Sequence, residues 1–252
     1  MYKIPRILPA GDKAVVVEYG NEISEECNKR VLNLYSALKR QDVTGITSII
    51  PTYRSLLIKY EPLKLTVDDL TALIAKSDMS TSVEEFKPKV IEIPVAYGGD
   101  FGPDLEFVAE YHNMTPEEVI KIHTGSAYRI YMLGFTMGFA YLGGMSEKIA
   151  TPRFEKPRTE IPAGSVGIAG SQTGIYPVTS PGGWRLIGKT PVKLYDPHRE
   201  KPILLEAGNY IKFVRITPDE FHEIEQQVNR NAYEVKTFLL SDGGLSFTES
   251  RG

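Results

Sequence analysis

Between Gly134 and Thr190 the chain gathers side chains suited to recognising a small anion or amide, set among glycines and prolines: Arg153, Arg158, Gln172, Thr173, Tyr176 and Ser180. A guanidinium is a planar fork that can meet a carboxylate or phosphate with two parallel hydrogen bonds. Arg153 and Arg158 each follow a proline in a segment that cannot form a regular helix. They either face an anion or pair with nearby acids such as Glu155 and Glu160. Gln172-Thr173-Gly174 precedes Tyr176-Pro177, and its side chains together with glycine-loop amides can orient an amide or a carboxylate. The alternative is plain turn chemistry. Ser180 leads into Pro181-Gly182-Gly183-Trp184, which joins a hydroxyl to an aromatic platform. No G-x-S-x-G elbow surrounds Ser180, so a nucleophile there lacks support. Trp184 is the candidate interface anchor, with core packing as the alternative, and Phe139 and Tyr141 join it as interface candidates. His123 ends a helix opened by Thr115. It serves there either as a cation at the negative end of the helix dipole or as a general acid or base beside the strand of Tyr128 and Tyr131.

Other chemistries find no residues to carry them. The single cysteine, Cys27, excludes an internal disulfide and a cysteine-rich zinc site, and it falls on the apolar face of an expected helix. No His, Cys, Asp or Glu cluster has metal-ligand spacing, so no metal is expected. His112, His198 and His222 read as surface residues. There is no G-x-x-x-x-G-K-[ST] loop, no G-x-G-x-x-G and no H-E-x-x-H. A net charge of −3 argues against nucleic acid or an anionic membrane as a partner. The first residues, MYKIPRILPAGDK, hold no apolar run of a signal peptide, and no stretch approaches the ~18 apolar residues of a membrane span. A cytoplasmic protein is expected.

The elements that must position these side chains fall into two groups. In the first, Ala14 to Glu18, Ile46 to Ile50 and Ser55 to Tyr60 read as strands. Ser24 caps a helix through Leu38, and Thr66 with Asp69 opens another in the manner of a capping box. Lys76 to Pro88 is polar and reads as a linker. The expected domains are 1–85, a small α+β layer, and 86–252. The second group starts with a strand at Val90 to Ala96, a helix capped by Asp104, and a helix opened by the capping box Thr115-Pro116-Glu118. Strands follow at Tyr128 to Leu133, Val192 to Tyr195 and Tyr210 to Ile216. Thr217-Pro218-Asp219-Glu220 opens a last helix, and a hairpin is expected around Asp242-Gly243-Gly244. Many short strands with a few helices point to a closed barrel, so the fold class is α+β.

The segments GFTMGFAYLGG, ATPRFEKPR and IPAGSVGIAGSQTGIYPVTSPGGWRLIGKT, in this order and spacing, resemble the family that joins the first subunit of allophanate hydrolase, the sporulation-kinase inhibitor and the B subunit of 5-oxoprolinase. The resemblance continues through PTYRSLLIKYEP and the stretch from Ile93 to Phe135, so it covers nearly the whole chain. One departure is Met137, which stands where the family pattern has a proline. The resemblance implies a cyclophilin-like barrel for 86–252 and a place in a two-part, ATP-dependent amide or lactam hydrolase. The implied partner is a larger carboxyltransferase-like subunit, and the reaction most like this chain's is the opening of 5-oxoproline to glutamate. It implies ATP in the assembled complex, although this chain shows no recognisable ATP site and is expected to be inactive alone. From their chemistry, His123, Arg153 and Arg158 are the catalytic candidates, and Gln172, Thr173, Tyr176 and Ser180 the substrate-binding ones. The rival is a binding module that docks on a histidine kinase and blocks its autophosphorylation. Prolyl isomerisation would rest on the barrel fold alone.

Overall fold

The computed structural model describes residues 1–78 and 87–240. The chain divides into two compact units, Met1–Lys87 and Pro88–Gly252.

The first unit runs β1 (Arg6–Pro9), β2 (Ala14–Glu18), α1 (Glu25–Gln41), β3 (Ile46–Pro51), β4 (Ser55–Tyr60) and α2 (Val67–Asp78). Its antiparallel sheet has the order β1-β2-β4-β3. Alternation in β2 and β4 turns Val15, Val17, Leu56 and Ile58 inward. There they meet Val31, Leu34 and Leu38 of α1 and Leu70 and Ile74 of α2. Ser24 caps α1 by accepting from the Cys27 amide. Thr66 accepts from the Asp69 amide, but the short Asp69 side chain takes its bond from the Thr66 hydroxyl. β1 was not expected from the sequence. Its segment RILP is mostly exposed and ends in proline, which an edge strand tolerates because one side of it carries no ladder. Helix α2 also runs on through Lys76 and Ser77, where a linker is expected. Asp78 holds that end in place by accepting from the Tyr19 hydroxyl at 2.7 Å and from Arg30 at 2.7 Å. Residues 79–86 of the expected linker lie outside the described residues.

The second unit continues with β5 (Lys89–Tyr97), α3 (Leu105–Tyr111), α4 (Pro116–Thr124), β6 (Ala127–Leu133), β7 (Ala140–Gly143), β8 (Arg158–Ile161) and β9 (Ser165–Ala169). Then come β10 (Gln172–Ile175), β11 (Ser180–Gly182), β12 (Arg185–Lys189), β13 (Tyr210–Arg215), α5 (Pro218–Asn229) and β14 (Thr237–Leu239). The main sheet follows the path β10-β9-β12-β5-β13-β6-β7, with β14 also paired to β5. Among the described pairs only β5 and β13 are parallel, with Val90 opposite Tyr210. The two ends of the path, β10 and β7, lie alongside each other, so the sheet is a nearly closed barrel. Ile93, Val95, Ile130, Val166, Ile168, Ile187, Ile211 and Phe213 belong to its core, to which α4 adds Val119 and Ile120. β8 and β11 form a separate two-stranded ribbon. The fold class is α+β, as the sequence indicates.

Both proline-containing capping boxes, Thr115/Glu118 and Thr217/Glu220, form in full. The expected strand Val192 to Tyr195 does not. Val192 and Leu194 are buried, but the pairing there among the described residues is an isolated bridge from Tyr195 to Ile203. Alternating burial without a neighbouring strand produced a strand-like pattern. The expected hairpin at Asp242-Gly243-Gly244 lies outside the described residues. No helix among the described residues is long and apolar enough to cross a membrane.

Candidate functional site

The connection from β6 to β7 is tight because the Gly134 amide donates to the Phe139 carbonyl and the Phe139 amide to the Thr136 carbonyl. Its tip carries Phe135 and Met137, 74% and 58% exposed. Beneath the tip an aromatic cluster begins. The Phe139 ring lies 4.9 Å from Phe135, 5.4 Å from Tyr141 and 5.8 Å from Trp184, and Trp184 meets Tyr176 at 6.1 Å. Trp184 fits because Gly174 presents no side chain to it; a Cβ there would crowd the indole, and one on Gly167 would crowd the Arg185 carbonyl and Trp184 Cβ. Of the interface candidates, Phe139 is therefore buried, and Tyr141 and Trp184 are half-buried. The freely exposed apolar groups of this face are Phe135 and Met137.

Tyr176 links the cluster to the arginines. Burial raises its pKa, opposed by a hydrogen bond from the Trp184 backbone and by the charges of Arg153 and Arg158. Gly182 packs directly on its hydroxyl, so Gly182→Ala is expected to displace the ring at a cost of about 1–3 kcal/mol, read from thermal unfolding. Arg153 is exposed. Arg158 is engaged: its terminal nitrogens donate to the two carboxylate oxygens of Asp104 at 2.9 and 2.8 Å, and one also reaches the Trp184 carbonyl at 3.3 Å. Its partner is thus neither Glu155 nor Glu160. The expected cap of α3 by Asp104 is absent for the same reason. That carboxylate accepts from Arg158 and, at 2.6 Å, from the Leu186 amide, where a charged donor outcompetes a helical amide.

Gln172, Thr173 and Ser180 sit on strands, not on a ligand-facing loop. The turn Gly170-Ser171, with Gly170 at φ 59, folds β9 onto β10 so that Gln172 pairs with Ala169. Gln172 and Ser180 are half-buried, whereas Thr173 is 1% exposed. Strand alternation turns Thr173 into the barrel, where its hydroxyl donates to the Gly167 carbonyl and meets His123 Nε2 at 2.8 Å. Because that hydroxyl's proton is committed to Gly167, His123 Nε2 carries the ring proton. Nδ1 then accepts from the Tyr97 hydroxyl at 2.8 Å. The ring stacks on Phe213 at 4.5 Å and is 0% exposed. Burial pushes its pKa down to about 3, so it is neutral. This overturns the expected cationic helix cap: the imidazole turns into the core and meets no solvent. His123 orients Thr173 and through it the strand that carries Gln172.

Two open clefts lie elsewhere. One of about 400 Å³ is bounded by Lys193, His198, Arg199 and Tyr233, and one of about 280 Å³ by Tyr97, Arg215 and Glu220. Neither holds Arg153, Arg158 or the aromatic cluster. No group of three or more His, Cys, Asp or Glu among the described residues is placed to hold a metal ion. Sequence reasoning missed Asp104 as a partner of Arg158 and missed Arg185 altogether. The contacts that mark them span 54 and 33 residues of chain and leave no local signal.

A family model described as the carboxyltransferase domain, subdomain C and D, matches residues 5–205. The chain is 44% identical to the B subunit of 5-oxoprolinase from Bacillus subtilis, covering 87% of this chain and 96% of that protein. It also matches the crystal structure of TTHA0988 at 38% identity and a TM-score of 0.73, covering 81% of this chain but only 40% of that longer one. The urea amidolyase of Kluyveromyces lactis shares the fold, with a TM-score of 0.69 at 20% identity, over 94% of this chain and 16% of that protein. A barrel built on the β5–β13 pair, a match over most of the chain and a relative aligned nearly end to end agree on one assignment: the chain belongs to the carboxyltransferase family that contains subdomains C and D.

Proposed function

We propose that this chain is the B-type component of an ATP-dependent hydrolase that opens 5-oxoproline to glutamate together with a larger carboxyltransferase-like subunit. The observation that carries this reading is the 44% identity to a protein named as the B subunit of 5-oxoprolinase, sustained over 96% of that protein. The exposed Phe135 and Met137 above a packed aromatic cluster support a docking surface, since exposed apolar patches mark interaction sites. Arg153, exposed beside the buried Tyr176, offers a cation to a small carboxylate-bearing lactam.

None of the starts of α1 to α5 suits a triphosphate. The helices α1, α2, α4 and α5 each carry paired acids in the first turn, and α3 carries Glu106. A triphosphate favours a helix start with free amides and no negative side chains. The nucleotide site is expected on the partner.

The test is reconstitution with each component omitted in turn, following glutamate release from 5-oxoproline with ATP. Release that requires this chain supports the reading. No release from a complex shown to assemble would overturn the substrate assignment. In the same system the double variant Phe135→Asp/Met137→Asp is expected to weaken binding to the larger partner at least tenfold, measured by calorimetry, with little change in this chain's own unfolding temperature.

A further inference from the structure

Arg185 opens β12, and its guanidinium is clamped between two phenyl rings, 3.8 Å from the centre of Phe107 and 3.6 Å from that of Phe154. At van der Waals distance on both sides, the guanidinium plane must lie face-on to the rings. Phe154 is in turn stacked by Arg158 at 4.4 Å, and Arg158 is neutralised by Asp104. The result is a ladder of alternating rings and cations in which Arg158 has a counter-ion and Arg185 has none among the described residues. Arg185 uses Nε on the Pro152 carbonyl at 3.3 Å, its one acceptor among the described residues. The two terminal nitrogens therefore point along the slot between the rings, with the side chain only half-buried.

We propose that Arg185 is a carboxylate-binding residue. The slot admits a planar ligand in the guanidinium plane, and a carboxylate meets both terminal nitrogens there as a bidentate pair. The clamp also removes the rotamer freedom that a free arginine loses on binding, which is what pre-organisation contributes to affinity. Two carboxylates are available under the proposed function, on which this assignment rests in part: that of the lactam substrate and that of an acidic side chain on the larger subunit.

The experiment compares wild type with Arg185→Lys, which keeps the charge and removes the fork. One arm measures kcat and KM for 5-oxoproline in the assembled complex, and the other measures Kd of the purified chain for the larger subunit. Loss of a charge-assisted bidentate contact is expected to cost on the order of tenfold in one of the two. A raised KM with kcat retained assigns the carboxylate to the substrate, and a raised Kd assigns it to the partner. If both stay within about twofold, with or without a fall in unfolding temperature, Arg185 is a packing residue and the proposal is wrong. Phe107→Leu removes one wall of the slot at an exposed position and supplies the same comparison should Arg185→Lys fail to fold. A wild-type complex that releases no glutamate would refute the substrate reading alone, because the binding arm still tests Arg185.

Discussion

Asp104→Ala is expected to lower the stability of the second unit by about 3 kcal/mol, which for a unit of this size means a fall of roughly 6–12 °C in unfolding temperature. The carboxylate answers three donors at once: both terminal nitrogens of Arg158 and the Leu186 amide. Removing it leaves a guanidinium without its counter-ion and a buried amide without an acceptor. Losses for a broken buried pair run to about 3–5 kcal/mol, and the lower end applies because the Arg158 side chain is 31% exposed and water reaches it. Asp104→Asn keeps an acceptor for Leu186 and loses only the charge, so about half of the loss is expected. Thermal unfolding of the three proteins checks the order. Equal stability of Asp104→Ala and wild type would show that solvent alone satisfies Arg158 and Leu186.

The second large effect is acid destabilisation through His123. Its pKa falls from the ordinary 6.5 to about 3 on folding because the ring is buried. Below pH 6.5 the unfolded chain takes up a proton that the folded chain refuses, so the unfolded state gains as pH drops. This contribution is intact above pH 6.5 and is lost at about 1.4 kcal/mol per pH unit down to about pH 3. By pH 4.5 the loss is about 3 kcal/mol. The carboxylates of Glu117, Glu118 and Glu220, held low by Arg215, Thr115 and Thr217, act in the same direction only below their ordinary value of 4.5. The window from 6.5 to 4.5 therefore isolates the histidine. His123→Gln is expected to flatten the slope there while lowering stability at neutral pH, because one of its two buried partners, Tyr97 or Thr173, loses a bond. Urea unfolding at half-unit pH steps checks both. An unchanged slope in the variant would place the acid sensitivity elsewhere.

What could be read from the sequence was mostly local. Thr115-Pro116-Glu118 and Thr217-Pro218-Glu220 name their helices because the capping bonds join residues three apart. The strands β2, β4 and β5 are likewise written in short apolar runs. The site is not, because its bonds are long-range. Asp104 looks like a helix cap until Arg158 arrives from 54 residues away. Thr173 looks like a loop hydroxyl until strand pairing with β9 turns it towards His123. Val192 and Leu194 mislead in the opposite sense, since their burial is real while the pairing beside them stops at an isolated bridge. Met137, where the family pattern has proline, leaves the hairpin closed, because the bonds from Gly134 to Phe139 and from Phe139 to Thr136 hold the loop without it.

The parallel pairing of β5 with β13 also sets an order of events during synthesis. The first unit draws its whole sheet from residues that leave the ribosome early and can close while the remainder is still being made. The barrel cannot do the same. Its central strand emerges as residues 89–97, yet the neighbour it needs spans 210–215. At ~5–20 residues per second, β5 waits on the order of ten seconds with open backbone edges and an apolar face. Such a nascent chain is a client for chaperones and a liability for aggregation when overproduced. Slower translation would lengthen the exposure without helping the barrel close.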